Sequence, residues 1–231
     1  MTSFRSYGRL LPVALLLLIG PLLALTGCLS DRMDRPQDFD EAPLFGMVYD
    51  FDNEPCAGAL IRVDGEDAVR TDINGRFVIN DLSRGRHQLE VLKEGYESYT
   101  LAFDFLNRSQ ALYVRMISAN QLLRQVEEAL EKRRYSAALE MLERVERIEP
   151  ANPVAAYLRG AYLIRVRRDA EAAAVLEGLV GQGYQEPVLY LTLADLYEYR
   201  LSDPERARHY LEQYLRIEAD PEVQKRLDAL P

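Results

Sequence analysis

The chain has 231 residues, with 28 lysines and arginines against 37 aspartates and glutamates, and its formal net charge at pH 7 is −9. An acidic chain of this kind has no overall electrostatic attraction for nucleic acid or for anionic lipid headgroups. Its length suits one large domain or two small ones. We therefore expect no nucleic-acid partner.

The N-terminal segment has the three parts of a secretory signal. Arg5 and Arg9 form a basic head, the stretch from Leu10 to Leu25 is almost entirely apolar, and small residues precede Cys28. An uncleaved membrane helix is the alternative. However, the apolar stretch is shorter than the roughly 20 residues that a span needs, and Gly20-Pro21 interrupts it. A cleaved signal peptide over residues 1–27 is therefore favoured.

The sequence Leu25-Thr26-Gly27-Cys28 resembles the signal box of bacterial lipoproteins, in which an aliphatic residue and two small residues precede a cysteine. The resemblance implies that Cys28 becomes the acylated N-terminus and binds the membrane, each buried CH₂ adding about 0.8 kcal/mol. It also implies a location in the cell envelope. Leu29 stands where an aspartate would retain a lipoprotein at the inner membrane, which favours the outer membrane, facing the periplasm or the surface.

Residues 28–42 are predicted to form an acylated acidic tether. Charged side chains crowd this segment, and prolines at 36 and 43 interrupt it, so it has too little apolar surface to form a core. Fully extended, at about 3.3 Å per residue, it would hold the folded body at most roughly 45 Å from the lipid.

Residues 43–117 have the two-residue period of β-strands and frequent turn signals. Apolar and polar side chains alternate in short segments from Leu44 to Met116, and turns such as Ile73-Asn74-Gly75 separate them. Short strands with a turn every roughly 8–12 residues are typical of a small antiparallel β-sandwich, here of about seven strands. Cys56 enters one of these strands and is predicted to be a small buried apolar residue; an exposed thiol is the alternative.

The segments Pro55-x-x-Gly58-Ala59, Thr71-Asp72-x-Asn74-Gly75 and Gly95-Tyr96 resemble the carboxypeptidase regulatory-like domain, a transthyretin-type β-sandwich. Cys56 stands where this family usually has a valine-like residue. The resemblance implies a non-catalytic module that packs, spaces or binds. It does not imply the zinc site of the peptidases.

From Ser118 onward the apolar residues follow the 3.6-residue period of helices, and Ser118-x-x-Gln121 is a capping box. Three prolines that suit the first position of a helix recur at intervals of 34 residues: Pro153, Pro187 and Pro221. The spacing predicts an α-solenoid over residues 118–231 with three helix pairs. A capping helix from Glu222 to Leu230 would cover the apolar face of the third pair.

This spacing resembles the tetratricopeptide repeat, although the first-helix tryptophan of that family is absent. The resemblance implies that the first helices line a groove that binds a protein partner. Carried over by register, the groove residues are Leu123, Glu127, Leu130, Val154, Tyr157, Ala161, Ile164, Val188, Leu191, Asp195 and Glu198. Such a groove is apolar at one edge and acidic at the other, which suits an amphipathic helix or an extended peptide. Packing against neighbouring helices is the alternative role, above all for Leu123, Ile164 and Val188.

No catalytic or metal-binding constellation is visible in the sequence. His87 and His209 fall in different domains, and with one spare cysteine they cannot form a thiolate–imidazole zinc site. We expect both histidines to be surface or packing residues. We predict no metal, no cofactor, no small-molecule substrate and no enzymatic activity.

The sequence thus predicts a multi-domain β + α protein that acts as a membrane-anchored scaffold for an unknown envelope protein or peptide. In the alternative hypothesis, the β-sandwich binds cell-wall polysaccharide through Tyr96, Tyr99 and Tyr113 as stacking platforms, with the repeats as a secondary interaction module. Filling the core or covering sheet edges is the other interpretation of these tyrosines.

Overall fold

The computed structural model describes residues 40–231. The predicted signal peptide, the predicted acylation site Cys28 and the predicted tether up to residue 39 lie outside these residues. In the described part of the chain, seven strands are followed by seven helices, which confirms the predicted fold class.

The seven strands form two sheets around one apolar core. They are β1 Glu41–Asp50, β2 Leu60–Val63, β3 Glu66–Arg70, β4 Arg76–Ser83, β5 Gly85–Leu92, β6 Tyr99–Phe105 and β7 Ala111–Met116. One sheet has the order β4-β1-β7 and the other the order β3-β2-β5-β6. The predicted antiparallel sandwich contains one parallel pair, β1 with β7. The chain crosses between the sheets after β6, and this crossover allows β7 to run in the direction of β1.

Strand β1 shows how the alternating sequence builds the sandwich. Leu44, Gly46 and Val48 face the core, whereas the odd-numbered residues between them face outward. Gly46 is needed because the ring of Phe77 crosses it: a Cβ at this position would lie 2.1 Å from Cζ of that ring. The close approach lets β1 and β4 share one tightly packed core.

The domain boundaries differ by one or two residues from the predicted ones. Strand β1 begins at Glu41, inside the predicted tether, because Ala42 is also an inward position and pairs with Leu82. At the other end, Met116 belongs to the sandwich core, but Ile117 already belongs to the helical core. The change of core therefore falls one residue before the predicted boundary.

The seven helices form three packed pairs and a single last helix. They are α1 Ala119–Glu131, α2 Tyr135–Ile148, α3 Pro153–Arg165, α4 Asp169–Gly181, α5 Pro187–Tyr199, α6 Pro204–Leu215 and α7 Pro221–Ala229. The turn inside each pair passes through left-handed backbone at Arg133, Arg167 and Ser202, with φ of 57°, 65° and 56°. None of the helices in residues 40–231 has the length and hydropathy that crossing a bilayer requires.

Side-chain caps define where the helices begin. The hydroxyl of Ser118 accepts a hydrogen bond from the backbone N–H of Gln121, whose side-chain oxygen accepts one from the N–H of Ser118. Asn152 and Asp220 cap α3 and α7 in the same way, each before a proline at the first helical position. Glu186 precedes α5 without a side-chain cap, as its poorer capping propensity predicts.

Small residues allow the helices of a pair to pack closely. Ala138, Ala172 and Ala207 are completely buried at the positions predicted for the crossings. Gly160 of α3 lies against Leu176 of α4, and a Cβ on the glycine would be 2.5 Å from a methyl carbon of that leucine. These contacts continue from pair to pair in one helical core.

The sandwich and the first repeat are joined by polar contacts, since their apolar cores are separate. The N–H of Ala119 donates to the carbonyl oxygen of Gly95 at 2.9 Å. Nη2 of Arg124 lies 2.6 Å from Oδ2 of Asp52 in the loop after β1. The solenoid therefore contacts the sandwich through loops and leaves the sheet faces free.

Candidate peptide-binding groove

The first helices of the three pairs, α1, α3 and α5, lie side by side and present a common surface, here called the first-helix face. Helix α3 contacts α1, and the hydroxyl of Tyr157 on α3 lies 3.3 Å from Oγ1 of Thr192 on α5. Because Thr192 donates its own proton to the carbonyl oxygen of Val188, Tyr157 is the donor in this pair. Tyr157 is central in the predicted groove and links the second repeat to the third.

Two predicted groove residues of the first repeat are core residues instead. Leu123 and Leu130 are each only 6% exposed and lie in the helical core, whereas Glu127 is exposed. Together with Val126 they have the i, i+3, i+7 spacing of a single helix stripe, and that stripe faces inward. The repeat register predicts these two leucines in the groove, but in the structure they pack inside the helical core. The first repeat therefore offers a partner little apolar surface.

A cleft of about 440 Å³ opens between α3 and α5. Three predicted groove residues line it, namely Ala161, Ile164 and Asp195. Five others that the sequence prediction missed also line it: Arg165, Thr192, Leu196, Tyr199 and Arg200. The sequence prediction missed the two arginines because a cation at a helix C-terminus is already explained by the helix dipole. Tyr199 follows Asp195 by one helical turn, and this i+4 spacing is the signal that identifies it.

Exposed apolar side chains lie on the two helices that form this cleft. Val154 and Val188 are the second residues of α3 and α5, and their exposed fractions are 47% and 55%. Tyr199, at the end of α5, is 67% exposed. Leu191, in contrast, is half-buried against the helical core. Apolar side chains grouped on one exposed face are typical of an interaction surface.

A cation from the last helix partly neutralises the acidic edge expected for the groove. Nη2 of Arg226, on the capping helix α7, lies 2.7 Å from carboxylate oxygens of both Asp195 and Glu198. The same guanidinium lies 5.0 Å from the centroid of the Tyr199 ring. The sequence did not predict this pairing, because Arg226 is remote in sequence and reaches these carboxylates only through the packing of α7.

The cleft also contains two arginines, Arg165 and Arg200. Arg165 has no hydrogen bond or ion pair with any residue in the described part of the chain, and its side chain is exposed. Arg200 shares the carboxylate of Asp169 with Arg167: its Nη1 lies 3.3 Å from Oδ1, and Nε of Arg167 lies 4.0 Å from Oδ2. A partner with an apolar side chain and a nearby acidic group would therefore fit the cleft.

A polar cluster behind the cleft holds α5 in place. Oε1 of Glu177 on α4 accepts hydrogen bonds from the hydroxyls of Tyr197, at 2.7 Å, and Tyr210, at 3.0 Å. Arg206 donates to the Tyr197 hydroxyl at 2.6 Å. Burial and the bond to Glu177 raise the pKa of Tyr210 far above its usual range, so it remains a neutral donor. The cluster ties α4, α5 and α6 together and fixes one wall of the cleft.

The three tyrosines proposed as a glycan platform do not lie together. Tyr96 lines a second cleft, of about 660 Å³, beside Arg70 and Lys93, and Nζ of Lys93 lies 4.9 Å from its ring centroid. Tyr99 packs against the sandwich core. Tyr113 is 73% exposed on β7, in the other sheet. The three tyrosines therefore lie at separate places on the β-sandwich.

The cysteine and the histidines have packing or surface positions. Cys56 is only 1% exposed, which confirms the prediction that it is buried, and this burial raises the pKa of its thiol. His87 is buried, with Nδ1 at 2.7 Å from Asp64 and Nε2 at 2.8 Å from the carbonyl oxygen of Ser83. His209 is exposed. Within residues 40–231, no group of three or more His, Cys, Asp or Glu side chains is placed to hold a metal ion.

Comparison with known families identifies the β-domain. The family model of the carboxypeptidase regulatory-like domain matches residues 43–114, which confirms the resemblance predicted for this segment. No curated protein matches the chain.

Solved structures similar to the chain include the first TPR domain of human RPAP3, which is 20% identical with a TM-score of 0.43 and covers 48% of this chain and 87% of its own. MamA from Desulfovibrio magneticus RS-1 is 18% identical with a TM-score of 0.42, covering 48% of this chain and 62% of its own. The Arabidopsis OM64 TPR domain is 15% identical with a TM-score of 0.42, covering 47% and 93%. Similarities of this size say nothing about what the helices of this protein bind.

Proposed function

We propose that this protein is a non-enzymatic scaffold of the bacterial cell envelope that holds a protein partner on its first-helix face. The observation that carries the proposal is the cleft between α3 and α5, which is lined by exposed Tyr199 and by Arg165. Exposed Val188 lies on α5 one helical turn before Thr192, which also lines the cleft. The shape of the cleft suits a side chain that projects from a helix or an extended peptide.

The partner segment is amphipathic and carries at least one acidic group. An apolar anchor would bury the exposed surfaces of Val188 and Tyr199, which provides most of the affinity in interfaces of this kind. A carboxylate would pair with Arg165 and fix the register of the segment. Arg226 pairs with both Asp195 and Glu198, which reduces the repulsion between these carboxylates and such a partner.

Site-specific photo-crosslinking in intact cells tests the position of the partner. A photoreactive amino acid at residue 188 or 199 is expected to capture one and the same protein. Ile217 provides a matched control, because it is 48% exposed but follows α6 and does not line the cleft. Equal capture of that protein from residue 217 would show that the cleft is not the binding site.

Substitution tests the same site without a crosslinker. Val188→Asp combined with Tyr199→Ala should weaken binding of the captured protein by about 2–4 kcal/mol, because both side chains are exposed anchors. Ile217→Asp should leave binding unchanged. Circular dichroism melting of each variant shows that the solenoid remains folded. Full binding by the folded double variant would refute the proposal.

The lipid anchor and the envelope location are also part of this proposal. Their support is the lipoprotein-like segment that ends at Cys28, and Leu29 favours the outer membrane over the inner one. In Cys28→Ser, neither acylation nor signal cleavage can occur, so an unprocessed precursor should accumulate. Fractionation of wild-type cells should place the mature protein with outer-membrane markers. A mature-sized product from Cys28→Ser would contradict the anchor.

Polysaccharide binding by the sandwich is the second candidate function. The cleft beside Tyr96 favours it, because Arg70, Lys93, Glu94 and Ser98 provide polar groups around an aromatic ring. However, Lys93 covers one face of that ring and must move before a sugar can stack there. Tyr96→Ala should abolish co-sedimentation of the protein with cell-wall polysaccharide, and Tyr99→Ala serves as a packing control. Unchanged sedimentation of Tyr96→Ala would exclude this cleft.

A further inference from the structure

The outer face of the β4-β1-β7 sheet is apolar, and nothing in the described part of the chain covers it. In one row across the sheet, Phe45 lies between Val78 and Ala111, and in the next row Met47 lies beside Tyr113. The exposed fractions of Phe45, Val78 and Tyr113 are 49%, 38% and 73%. Because these positions adjoin across three strands, they form one continuous patch, and such patches mark interaction sites.

Two arginines flank the apolar patch without carboxylate partners. Arg76 lies opposite Met47 on β4, and Arg115 lies opposite Tyr49 on β7. Arg115 donates to the neutral side-chain oxygen of Asn53 at 2.5 Å, and Arg76 has no ion pair with any residue between 40 and 231. Although the chain as a whole carries a net charge of −9, one end of this sheet presents two guanidinium groups that have no ion pair in the described part of the chain. The patch and the two arginines are here called the outer sheet face.

We propose that the outer sheet face lies on the surface of a membrane that contains anionic lipid. Aromatic rings such as Phe45 and Tyr113 are stable at the level of the headgroups, where one end is apolar and the other polar. Arginines beside them pair with lipid phosphates, each worth about 1 kcal/mol near an anionic surface. The combination of exposed aromatic residues and unpaired arginines on one flat face fits this surface.

Chain geometry keeps this face within reach of a membrane. Strand β1 is the central strand of the sheet and begins at Glu41, thirteen residues after the proposed acylation site at Cys28. At about 3.3 Å per residue, the intervening chain spans at most roughly 45 Å. The solenoid contacts the sandwich at Asp52 and Gly95, in loops, and leaves the outer sheet face uncovered. The face can therefore meet the bilayer while the first-helix face remains open to a partner.

A second copy of the chain is a less suitable occupant. Face-to-face pairing of two copies would bring four guanidinium groups, from Arg76 and Arg115 of each copy, to one interface. The exposed acidic residues of this sheet, Glu41 on β1 and Asp81 on β4, lie towards the other end of the strands. Any pairing that brings the arginine ends of two copies together buries like charges beside one another, which is unfavourable. Anionic headgroups neutralise the same charges.

Fluorescence quenching on vesicles tests the proposal. The acylated full-length protein would be reconstituted into vesicles of phosphatidylethanolamine and phosphatidylglycerol that contain a nitroxide-labelled lipid. Cys56 is buried and does not label, so Tyr113→Cys or Glu66→Cys each places a single fluorophore on the surface. Glu66 is the control because it is exposed on β3, in the other sheet.

The label at residue 113 should be quenched on the order of twofold or more above the label at residue 66, because an interfacial residue sits within about 5–10 Å of the acyl boundary. Arg76→Glu with Arg115→Glu should remove this difference while the thermal melting curve stays unchanged. Equal quenching at both positions would overturn the proposal, as would failure of the protein to float with the vesicles. Shielding of residue 113 that depends on protein concentration without vesicles would overturn it in favour of a second copy.

Discussion

Arg144 of α2 donates two hydrogen bonds to the carboxylate of Glu97, which lies in the loop between β5 and β6. Its Nε lies 3.1 Å from Oε1 and its Nη2 lies 2.6 Å from Oε2. The backbone N–H of Glu97 also donates to the carbonyl oxygen of Ile117, at the start of the helical core. One residue of the sandwich thus contacts both the linker and the second helix, and this fixes the first repeat against the β-domain.

The Glu97–Arg144 pair predicts a pH-dependent stability. The hydrogen bond from Arg144 lowers the pKa of Glu97 below its ordinary value, although burial opposes this. A lowered pKa in the folded state gives stability that is present above the unfolded pKa and is lost as the pH falls through the folded value. Glu97→Gln should therefore lower the free energy of unfolding by about 1–2 kcal/mol at neutral pH. This loss is smaller than for a fully buried ion pair, because solvent screens the interaction between Glu97 and Arg144.

Chemical denaturation of wild type and Glu97→Gln across acidic pH measures this effect. The two stabilities should converge below the ordinary pKa of glutamate. Arg147→Ala is the control, because Arg147 lies 4.0 Å from Glu97 and its side chain is 66% exposed. Arg147→Ala should change the free energy of unfolding by no more than about 0.5 kcal/mol. A difference that is independent of pH would show that the charge on Glu97 does not matter.

Gly160→Ala should destabilise the solenoid. In a helix interior this change normally gains about 0.5–1 kcal/mol, because alanine has the higher helix propensity. At residue 160, however, the new Cβ would lie 2.5 and 2.8 Å from side-chain carbons of the fully buried Leu176. Overpacking of this kind costs about 1–3 kcal/mol. Thermal unfolding should show a lower midpoint.

Gly178→Ala is the matched control for Gly160→Ala. Gly178 is also a helical glycine, on α4, but an added Cβ would meet no atom within 4 Å. This variant should be neutral or more stable than wild type. If both variants raised the midpoint, the close contact between α3 and α4 would not limit packing.

Arg226→Ala should loosen the capping helix. The change removes the cation from Asp195 and Glu198 and leaves these carboxylates facing each other, which should cost about 1–3 kcal/mol. Hydrogen exchange in α7 should rise more than in α1. Lys225→Ala, at the exposed neighbouring position, should not change it. Unaltered exchange in Arg226→Ala would mean that apolar contacts of Val223 alone hold α7.

Cys56 should be inert in the folded protein. Its burial raises the pKa of the thiol, and both effects slow attack on thiol reagents, because the thiolate is the reactive species. The mature protein should therefore show no reactive thiol when native and one when denatured. The Tyr113→Cys variant is the positive control and should react at once in the native state. Two thiols in the denatured mature protein would indicate that Cys28 is not acylated.

The local patterns were sufficient to predict the architecture. Apolar alternation around Leu44 to Met116 and the proline spacing in the helical part specify strands and helix pairs through short-range geometry. Capping at Ser118, Asn152 and Asp220 follows equally from neighbouring residues. The parallel pairing of β1 and β7 did not follow, since strands far apart in sequence choose their direction through the crossover between sheets.

The groove was predicted only in part, and for the same reason. Ala161, Ile164 and Asp195, which the repeat register places in the groove, line the cleft. Leu123 and Leu130 do not line it, because they lie on the side of α1 that faces the helical core. Tyr199 and Arg165 line the cleft because of how α3 and α5 pack. The repeat register does not predict this packing.

By itself, the sequence determined the order of the modules, the lengths of their elements and the charge of the whole chain, because these depend on neighbouring residues or on a sum. Only the tertiary structure decided where charge and apolar surface meet. Arg226 reaches from α7 to pair with Asp195 and Glu198, and two arginines from separate strands flank one apolar sheet face on an acidic protein. Such arrangements depend on distances through space, and no period along the chain encodes them.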